Sequence, residues 1–226
     1  MNLEGKGCIV IGGFGALGAV VVQRLRAAGA KAVPIDRAPA PKDDAAAIGR
    51  VDLANPEDAQ QAIDTAAERL GGLYALVNIA GAFRWETLAD GDPATWDLMY
   101  TVNLKTAVCA SKAALPHLMA AGGGRIVNIG AAAAAKASAG MGAYAASKAG
   151  VARLTEALAE ETKASGVTVN AVLPSIIDTP ANRVDMPKAD FAKWVKPDAI
   201  AGLIAFLLSE EAADITGALI PISGRV

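Results

Sequence analysis

Short, wholly apolar runs alternate along this chain with longer segments in which apolar residues recur every three or four positions. The apolar runs predict strands at residues 7–11, 31–35, 48–53, 73–78, 125–129, 167–173 and 218–222. Strands that are apolar on both sides are typical of a parallel sheet covered by helices on both faces. The alternation therefore predicts an α/β fold, a single doubly wound Rossmann domain of about seven parallel strands.

The segments between these runs predict the helices. The first runs through residues 20–28 and ends at Gly29, and another begins at Asn55-Pro56, with Asn as cap and Pro at the first helical position. A long helix is expected over residues 93–121, broken near Asn103, and a further one runs from Tyr144 to about residue 163. No linker divides residues 1–226, so one domain is expected.

Composition narrows the class of protein. The 226 residues carry a formal net charge of −2, which gives no reason to expect nucleic acid or an anionic membrane as partner. No apolar run approaches the roughly 18 residues of a membrane span, and the N-terminus lacks a signal-peptide layout. Cys8 and Cys109 are far apart, which favours reduced thiols and a cytoplasmic protein. With His117 the only histidine, no metal site is expected.

A glycine-rich turn follows the first predicted strand and opens the first helix. It reads Gly12-Gly13-Phe14-Gly15-Ala16-Leu17-Gly18. Glycines allow close approach to a pyrophosphate, and a helix N-terminus offers free N–H groups and a favourable dipole. An ordinary tight turn is the alternative, but the strand-turn-helix context favours a dinucleotide site.

The end of the second predicted strand bears on the choice of cofactor. Asp36 lies 18 residues after Gly18, where a carboxylate can accept hydrogen bonds from ribose hydroxyls and would repel a 2′-phosphate. This favours NAD(H). Arg37 beside it can accommodate a 2′-phosphate, so NADP(H) remains the alternative.

Tyr144 and Lys148 are four residues apart in an Ala-rich helical segment and so project from one face. The hydroxyl of a tyrosine, with an unperturbed pKa of about 10, is a poor proton donor at neutral pH. An ammonium one turn away would lower that pKa and make the hydroxyl a usable general acid or base. Such pairs are common by chance, and this one gains meaning from the nucleotide turn upstream.

In this order, the glycine turn, the acidic residue and Tyr-x-x-x-Lys resemble the short-chain dehydrogenase/reductase family over nearly the whole chain. The resemblance implies that Asn103 connects Lys148 to solvent through a water, and that both Tyr144 and Lys148 contact the cofactor. It implies further cofactor contacts from Asp52, Leu53, Asn78, Ala80, Gly81, Pro174, Ile177 and Thr179.

One position departs from the family pattern. A serine usually stands 13 residues before the tyrosine, and here Ala131 occupies that place, with Ser138 as a conceivable substitute. Residues 12–18 and 172–191 also resemble dihydropteridine reductases, a branch that uses NADH and manages without the serine. That narrower resemblance implies a quinonoid pterin as substrate.

The sequence therefore predicts an NAD(P)H-dependent oxidoreductase that transfers hydride to an unsaturated small-molecule acceptor, with Tyr144 as proton donor. Two alternatives stand beside it: a carbonyl or alcohol oxidoreductase using Ser138 or no serine, and a catalytically silent nucleotide-binding regulator. A homodimer or homotetramer is expected through the helices of residues 93–121 and 142–163. Candidates for an apolar substrate pocket, with core packing as the alternative for each, are Phe83, Trp85, Met141, Met186 and Trp194.

Overall fold

The computed structural model describes residues 2–226, which form one parallel sheet with helices on both faces. The strands are β1 (Gly7–Ile11), β2 (Lys31–Ile35), β3 (Ala75–Asn78), β4 (Gly124–Ile129), β5 (Val167–Pro174) and β6 (Leu219–Ile222). Their order is β2-β1-β3-β4-β5-β6, and every neighbouring pair is parallel. The predicted doubly wound α/β fold is confirmed.

The sheet has six strands in place of about seven, because the segment predicted at residues 48–53 does not form one. Ile48 makes a single bridge to Ile35, and two residues later Arg50 has φ 63. That left-handed conformation turns the chain out of the extended form, so the pairing with β2 does not continue beyond Ile48.

The helices are α1 (Ala16–Ala27), α2 (Pro56–Leu70), α3 (Pro93–Met99), α4 (Thr106–Ala120), α5 (Gly142–Thr162), α6 (Pro180–Asp185) and α7 (Pro197–Leu207). A π-helical segment, Tyr100–Lys105, joins α3 to α4, so the predicted break near Asn103 is real. The predicted cap of α2 is also confirmed, since the Asn55 side chain accepts from the N–H groups of Glu57 and Asp58. The first helix begins at Ala16, four residues earlier than predicted.

Alternate residues of β1 enter two separate cores. Ile9 and Ile11 pack into the core that lies beneath α2 and α4, whereas Cys8 and Val10 pack into the one beneath α1 and α7. Since all four are fully buried, the strand has no face left for solvent. The loops that follow β1, β3, β4 and β5 leave the carboxyl edge of the sheet, where ligands of such folds bind. None of the helices in residues 2–226 is both long and apolar enough to span a membrane.

Candidate functional site

The glycine turn after β1 packs closely against neighbouring backbone and side-chain atoms, so most of its glycines have no room for a side chain. A Cβ on Gly12 would lie 2.6 Å from the backbone N of Ala80, and one on Gly13 would lie 2.4 Å from Cβ of Pro34. A Cβ on Gly18 would lie 2.0 Å from the carbonyl oxygen of Gly12. These three glycines let β1, the start of α1 and the loop after β3 come together.

Gly15 differs from its neighbours. A Cβ there would have only the carbonyl oxygen of Gly12 nearby, at 3.5 Å, and the backbone has φ −71, which any residue adopts. Gly15 is the cap of α1, and no side chain caps the N–H groups that follow it at Ala16, Leu17 and Gly18. Open space in front of uncapped N–H groups suits a pyrophosphate.

Asp36 lies directly beside this turn. Its Oδ2 accepts from the backbone N–H of Phe14 at 3.1 Å, and its Oδ1 accepts from the N–H of Ala38 at 3.1 Å. Each carboxylate oxygen keeps a lone pair for a ligand. Arg37 next to it is exposed. The structure thus brings the acidic residue and the glycine turn together, as the sequence predicted.

Two other predicted cofactor contacts, Asp52 and Leu53, lie in the turn before α2. The Asp52 carboxylate is exposed and accepts from the N–H of Ala54 at 3.1 Å, whereas Leu53 is a core residue. Leu53 can therefore contact a ligand through its backbone, whereas its side chain packs in the core.

The side chain of Asn78, predicted to contact cofactor, points into the protein interior. Its amide group donates to Ser111 Oγ at 3.1 Å and to Asn128 Oδ1 at 2.8 Å, and Asn128 in turn donates to Thr155 at 2.9 Å. This buried chain of polar side chains joins β3 and β4 to helices α4 and α5. The Asn78 side chain therefore supports the sheet edge, and the contact of this residue with a cofactor stays a prediction.

Gly81 lies between two of the predicted catalytic residues. A Cβ on Gly81 would be 2.5 Å from Oδ1 of Asn103 and 3.3 Å from Nζ of Lys148. Ala80 just before it packs against the core and faces Gly12 of the glycine turn. Glycine at position 81 is thus required for the polar side chains to approach the loop after β3.

The π-helical segment directs Asn103 inward. Its side chain accepts from the N–H of Ala82 at 2.9 Å, donates back to the Ala82 carbonyl at 3.1 Å, and donates to Ser147 Oγ at 3.0 Å. Ser147 then donates to the carbonyl of Tyr144 at 2.7 Å. The Asn103 side chain therefore ties the loop after β3 to the Tyr144 helix, and its link to solvent through a water stays a prediction.

Tyr144 and Lys148 lie one turn apart on α5 and face the same region. Burial raises the pKa of Tyr144 to about 12 and lowers the pKa of Lys148 to about 8. The Lys148 ammonium donates to the carbonyl of Ile129 at 2.8 Å, and no hydrogen bond joins it to the Tyr144 hydroxyl. The expected lowering of the Tyr144 pKa by Lys148 is therefore absent here, because burial acts alone.

Aromatic side chains from the loop after β3 cover the start of α5. Phe83 packs edge-on against Tyr144, and the indole ring of Trp85 lies over Gly140, where a Cβ would be only 2.2 Å from the indole ring. A backbone hydrogen bond from Glu86 to Gly140, of 2.8 Å, holds the two loops together. Both rings remain more than half exposed, so they are free to contact a ligand.

The other predicted substrate contacts occupy different environments. Met141 is half-buried at the cap of α5 and Ser138 is exposed, while Ala131 is buried with no side-chain donor to offer. Trp194 is only 5% exposed and packs against Phe191 with ring centroids 4.7 Å apart. Its burial favours the core alternative for Trp194, and its contact with substrate stays a prediction.

The segment after β5 begins with the buried Pro174 and carries Ile177 and Thr179. The Ile177 carbonyl accepts from Asn182 Nδ2 at 2.8 Å, while its N–H makes no hydrogen bond within residues 2–226. Thr179 caps α6 by accepting from the N–H of Asn182 at 3.3 Å. The N–H of Ile177 is thus free to donate to a ligand, and its contact with a cofactor stays a prediction.

Two structural participants were missed by the sequence argument. Ser147 connects Asn103 to Tyr144, and its spacing of three residues from Tyr144 on one helix face was the available signal. Asp178, between Ile177 and Thr179, binds Arg183 and Lys196. No local spacing indicated this role of Asp178, since Lys196 is 18 residues away in the sequence.

Several known proteins resemble this chain in sequence and in structure. Residues 6–189 match the sequence profile described as short chain dehydrogenase. The chain is 33% identical over 253 residues to 4-formylbenzenesulfonate dehydrogenase TsaC1/TsaC2 of Comamonas testosteroni, covering 99% of this chain and 98% of the relative. It is 32% identical to the 3-oxoacyl-[acyl-carrier-protein] reductase FabG of Vibrio cholerae, with the same coverage. The crystal structure of carveol dehydrogenase from Mycobacterium avium in complex with NAD superposes with a TM-score of 0.88, at 25% identity, covering 99% of this chain and 98% of that one.

Proposed function

The chain belongs to the short-chain dehydrogenase family and is an NAD(P)-dependent oxidoreductase, and from that premise we propose that it reduces a flat, unsaturated ring with Tyr144 as proton donor. A quinonoid dihydropteridine is the first candidate for that ring. Membership in a family of named dehydrogenases and reductases supports an enzyme over a silent nucleotide-binding regulator.

The observation that carries the proposal is that Tyr144 has an aromatic neighbour and no serine hydroxyl at the usual position of the family pattern. Where the usual family pattern has a serine hydroxyl, this chain has the buried methyl group of Ala131, while the ring of Phe83 lies against the tyrosine. An exposed aromatic ring beside a single proton donor suits a flat conjugated substrate that needs no second donor to polarise a carbonyl. The resemblance to dihydropteridine reductases that we infer for residues 172–191 favours the same substrate class.

The site residues fit a dinucleotide, which when bound supplies the hydride. The open space at Gly15 and the N–H groups that follow it would hold the pyrophosphate, and Asp36 would accept from the ribose hydroxyls. The free N–H of Ile177 would donate to the carboxamide. The carboxylate of Asp36 supports NAD(H) over NADP(H).

The side chains around α5 would manage the proton. Burial raises the pKa of Tyr144 to about 12, so the hydroxyl keeps its proton at neutral pH in the cofactor-free protein, and the Lys148 ammonium would have to lower that pKa in the bound state for the proton to be donated to the reduced ring. Lys148, with its pKa lowered to about 8, can exchange a proton with the site near neutral pH. Asn103 holds the loop after β3 against α5, so that Tyr144 and Phe83 keep their positions.

Steady-state assays with NADH and quinonoid dihydropteridine test this proposal, after subtraction of the rate without enzyme. The Tyr144→Phe variant should lose about 10²–10⁴-fold in turnover while its NADH dissociation constant stays within about twofold. Tyr100→Phe is the matched control, since Tyr100 is half exposed on the π-helical segment and should retain full activity. Wild-type protein that reduces no dihydropteridine would overturn the substrate assignment.

A second candidate is a carbonyl or alcohol oxidoreductase. It is supported by the two relatives whose names give a formylbenzenesulfonate and a 3-oxoacyl-[acyl-carrier-protein] as what they act on. Ser138, exposed in the loop before α5, would then be the donor to test. Turnover confined to ketones, aldehydes or alcohols, and lost in Ser138→Ala, selects this function. Turnover that survives that substitution means that the carbonyl is reduced without a serine.

We also infer a homodimer or homotetramer, assembled through the outer faces of the helices near α3, α4 and α5. Large apolar side chains are exposed there, at Trp96, Leu98, Tyr100 and Val108. Exposed apolar surface of this kind is typical of an interface. Both cysteines are free and buried, which supports a reducing compartment such as the cytoplasm.

A further inference from the structure

The segment that follows β5, residues 175–196, closes on itself at its base. The N–H of Asp178 donates to the carbonyl of Val195 at 2.8 Å, and the N–H of Val195 donates to the carbonyl of Ile176 at 2.9 Å. The two ends of the segment therefore meet beside the carboxyl end of the sheet. Between them lie α6 and a short 3₁₀ turn at Phe191–Lys193.

A single carboxylate ties this closed segment together. Asp178 accepts from Nε of Arg183 at 2.6 Å and from its Nη2 at 2.9 Å, and it also accepts from Nζ of Lys196. Its side chain is only 7% exposed, whereas the two cations are about half exposed. The hydrogen bonds from Arg183 and Lys196 hold the pKa of the Asp178 carboxyl well below its usual range. One buried anion thus links the start, the middle and the end of the segment.

Aromatic packing extends this connection. The guanidinium of Arg183 lies over the ring of Phe191, 4.9 Å from its centroid, and Phe191 packs against the buried Trp194. Lys196 donates in addition to the Phe191 carbonyl at 3.3 Å. The side chains bound by Asp178 are therefore also the ones that fix the 3₁₀ turn.

We propose that Asp178 is a positioning residue, which holds the 175–196 segment in its binding shape before the cofactor arrives and so sets the affinity for the nicotinamide half. This rests on the proposed contact of Ile177 with the carboxamide, since Asp178 follows Ile177 directly in the chain. A segment already in its bound shape loses less conformational entropy when a ligand binds. Without the carboxylate, Arg183 and Lys196 would repel each other and the segment would open.

The test compares Asp178→Asn and Arg183→Met with Asp44→Asn. Asp178→Asn removes the carboxylate charge and Arg183→Met removes one of its partners, each with little change of side-chain shape. The control, Asp44→Asn, removes the charge of a similar carboxylate–arginine pair elsewhere on the surface, in which Asp44 lies 2.9 Å from Arg26. Two measurements are made without any acceptor substrate. Hydrogen–deuterium exchange is followed in the cofactor-free protein, and dissociation constants are measured for NADH and for ADP-ribose, which lacks nicotinamide.

In both variants, the amides of residues 179–193 should exchange at least about fivefold faster than in the wild type, and those of β4 should not change. The dissociation constant for NADH should rise about tenfold and that for ADP-ribose less than about twofold. The Asp44→Asn control should leave all of these values unchanged.

Three results would overturn the proposal. Unchanged exchange in the segment would show that Asp178 does not hold it. Faster exchange that spreads equally to β4 would make Asp178 a stabiliser of the whole fold. Faster exchange confined to the segment, with no change in NADH affinity, would show that the ordered segment does not contact nicotinamide. Because no acceptor is used, failure of the dihydropteridine assignment leaves this test intact.

Discussion

The ring of Phe83 meets the ring of Tyr144 edge to face, with centroids 5.0 Å apart and an interplanar angle of 84°. The contact joins the loop after β3 to the first turn of α5. It also shields the phenol from water, and burial is the cause that raises the pKa of Tyr144 to about 12. We expect this one aromatic side chain to contribute to that burial and so to the acidity of the proposed proton donor.

Replacing Phe83 by alanine should lower the pKa of Tyr144 toward its ordinary value of about 10, because the hydroxyl gains access to water. Nuclear magnetic resonance of ¹³C-labelled tyrosine, titrated without cofactor, measures this directly. The Tyr144 signal is assigned by its loss in Tyr144→Phe, and the exposed Tyr100 serves as internal control. An unchanged Tyr144 titration in Phe83→Ala would show that other residues cause its burial.

Replacing Lys148 by methionine should change how stability depends on pH. The folded-state pKa of about 8 lies below the unfolded value of 10.5, so the unfolded chain binds more protons between these values. Lys148 therefore makes the free energy of unfolding rise with pH across that window, by on the order of 1–3 kcal/mol. Urea unfolding at pH 7.5 and 9.5 should show this rise in the wild type relative to Lys148→Met.

The comparison with the variant is needed because Cys8 acts in the opposite direction. Burial raises its pKa to about 12, so its contribution to stability falls as pH rises above 9. Cys8 is present in both proteins, and its effect cancels in the difference. Lys112→Met, at an exposed position on α4, should show no such difference. A difference that falls with pH would contradict the assignment of Lys148.

Glycines of the nucleotide turn should separate into two groups. Gly15→Ala should keep the thermal stability of the wild type, since its Cβ has room within the protein, but weaken NADH binding about tenfold or more by filling the proposed pyrophosphate space. Gly18→Ala should instead lower the melting temperature, because its Cβ would lie 2.0 Å from the Gly12 carbonyl oxygen.

Gly202→Ala is the control for both variants. Gly202 is in the middle of α7, where a Cβ would meet nothing within 4 Å, so alanine should stabilise the protein by about 0.5–1 kcal/mol without affecting NADH. Calorimetry gives the melting temperature and the dissociation constant from the same preparation. Full NADH affinity in Gly15→Ala would remove this glycine from the cofactor site.

Restoring the absent serine, as Ala131→Ser, should shift the substrate preference. A hydroxyl at this position can polarise a carbonyl, so the kcat/KM for a simple ketone should rise by about 10–100-fold. Turnover of quinonoid dihydropteridine, which needs only Tyr144, should change less than about threefold. Ala133→Ser, two residues farther along the same loop, is the matched control. Equal effects of Ala131→Ser on both substrates would contradict the proposed role of position 131.

Periodicity was sufficient for most of the fold and for bringing Asp36 beside the glycine turn. The apolar runs marked all six strands, and the glycine turn with Asp36 lies where the pattern predicted, since both depend on local sequence and the order of strands. The extra strand at residues 48–53 was wrong because Arg50 adopts a left-handed conformation. Such a conformation in a non-glycine residue leaves no trace in hydropathy.

Contacts between distant residues were beyond the reach of that pattern. The aromatic character of Phe83 suggested a pocket wall, but its contact with Tyr144 depends on how two loops meet across the sheet edge. The inward turn of Asn78 likewise depends on Asn128, 50 residues away. The raised pKa of Tyr144 depends on burial, which spacing along a helix does not report.

The π-helical segment Tyr100–Lys105 sets a constraint on the length of the chain. A π turn holds one residue more than an α turn, so deleting one residue there would restore α-helical pairing and change which side chains of the segment point inward. Asn103 would then swing away from Ala82 and Ser147, and the loop after β3 would lose its attachment to α5. Single insertions and deletions, which loops of this protein can absorb, should therefore be excluded from this one stretch of helix.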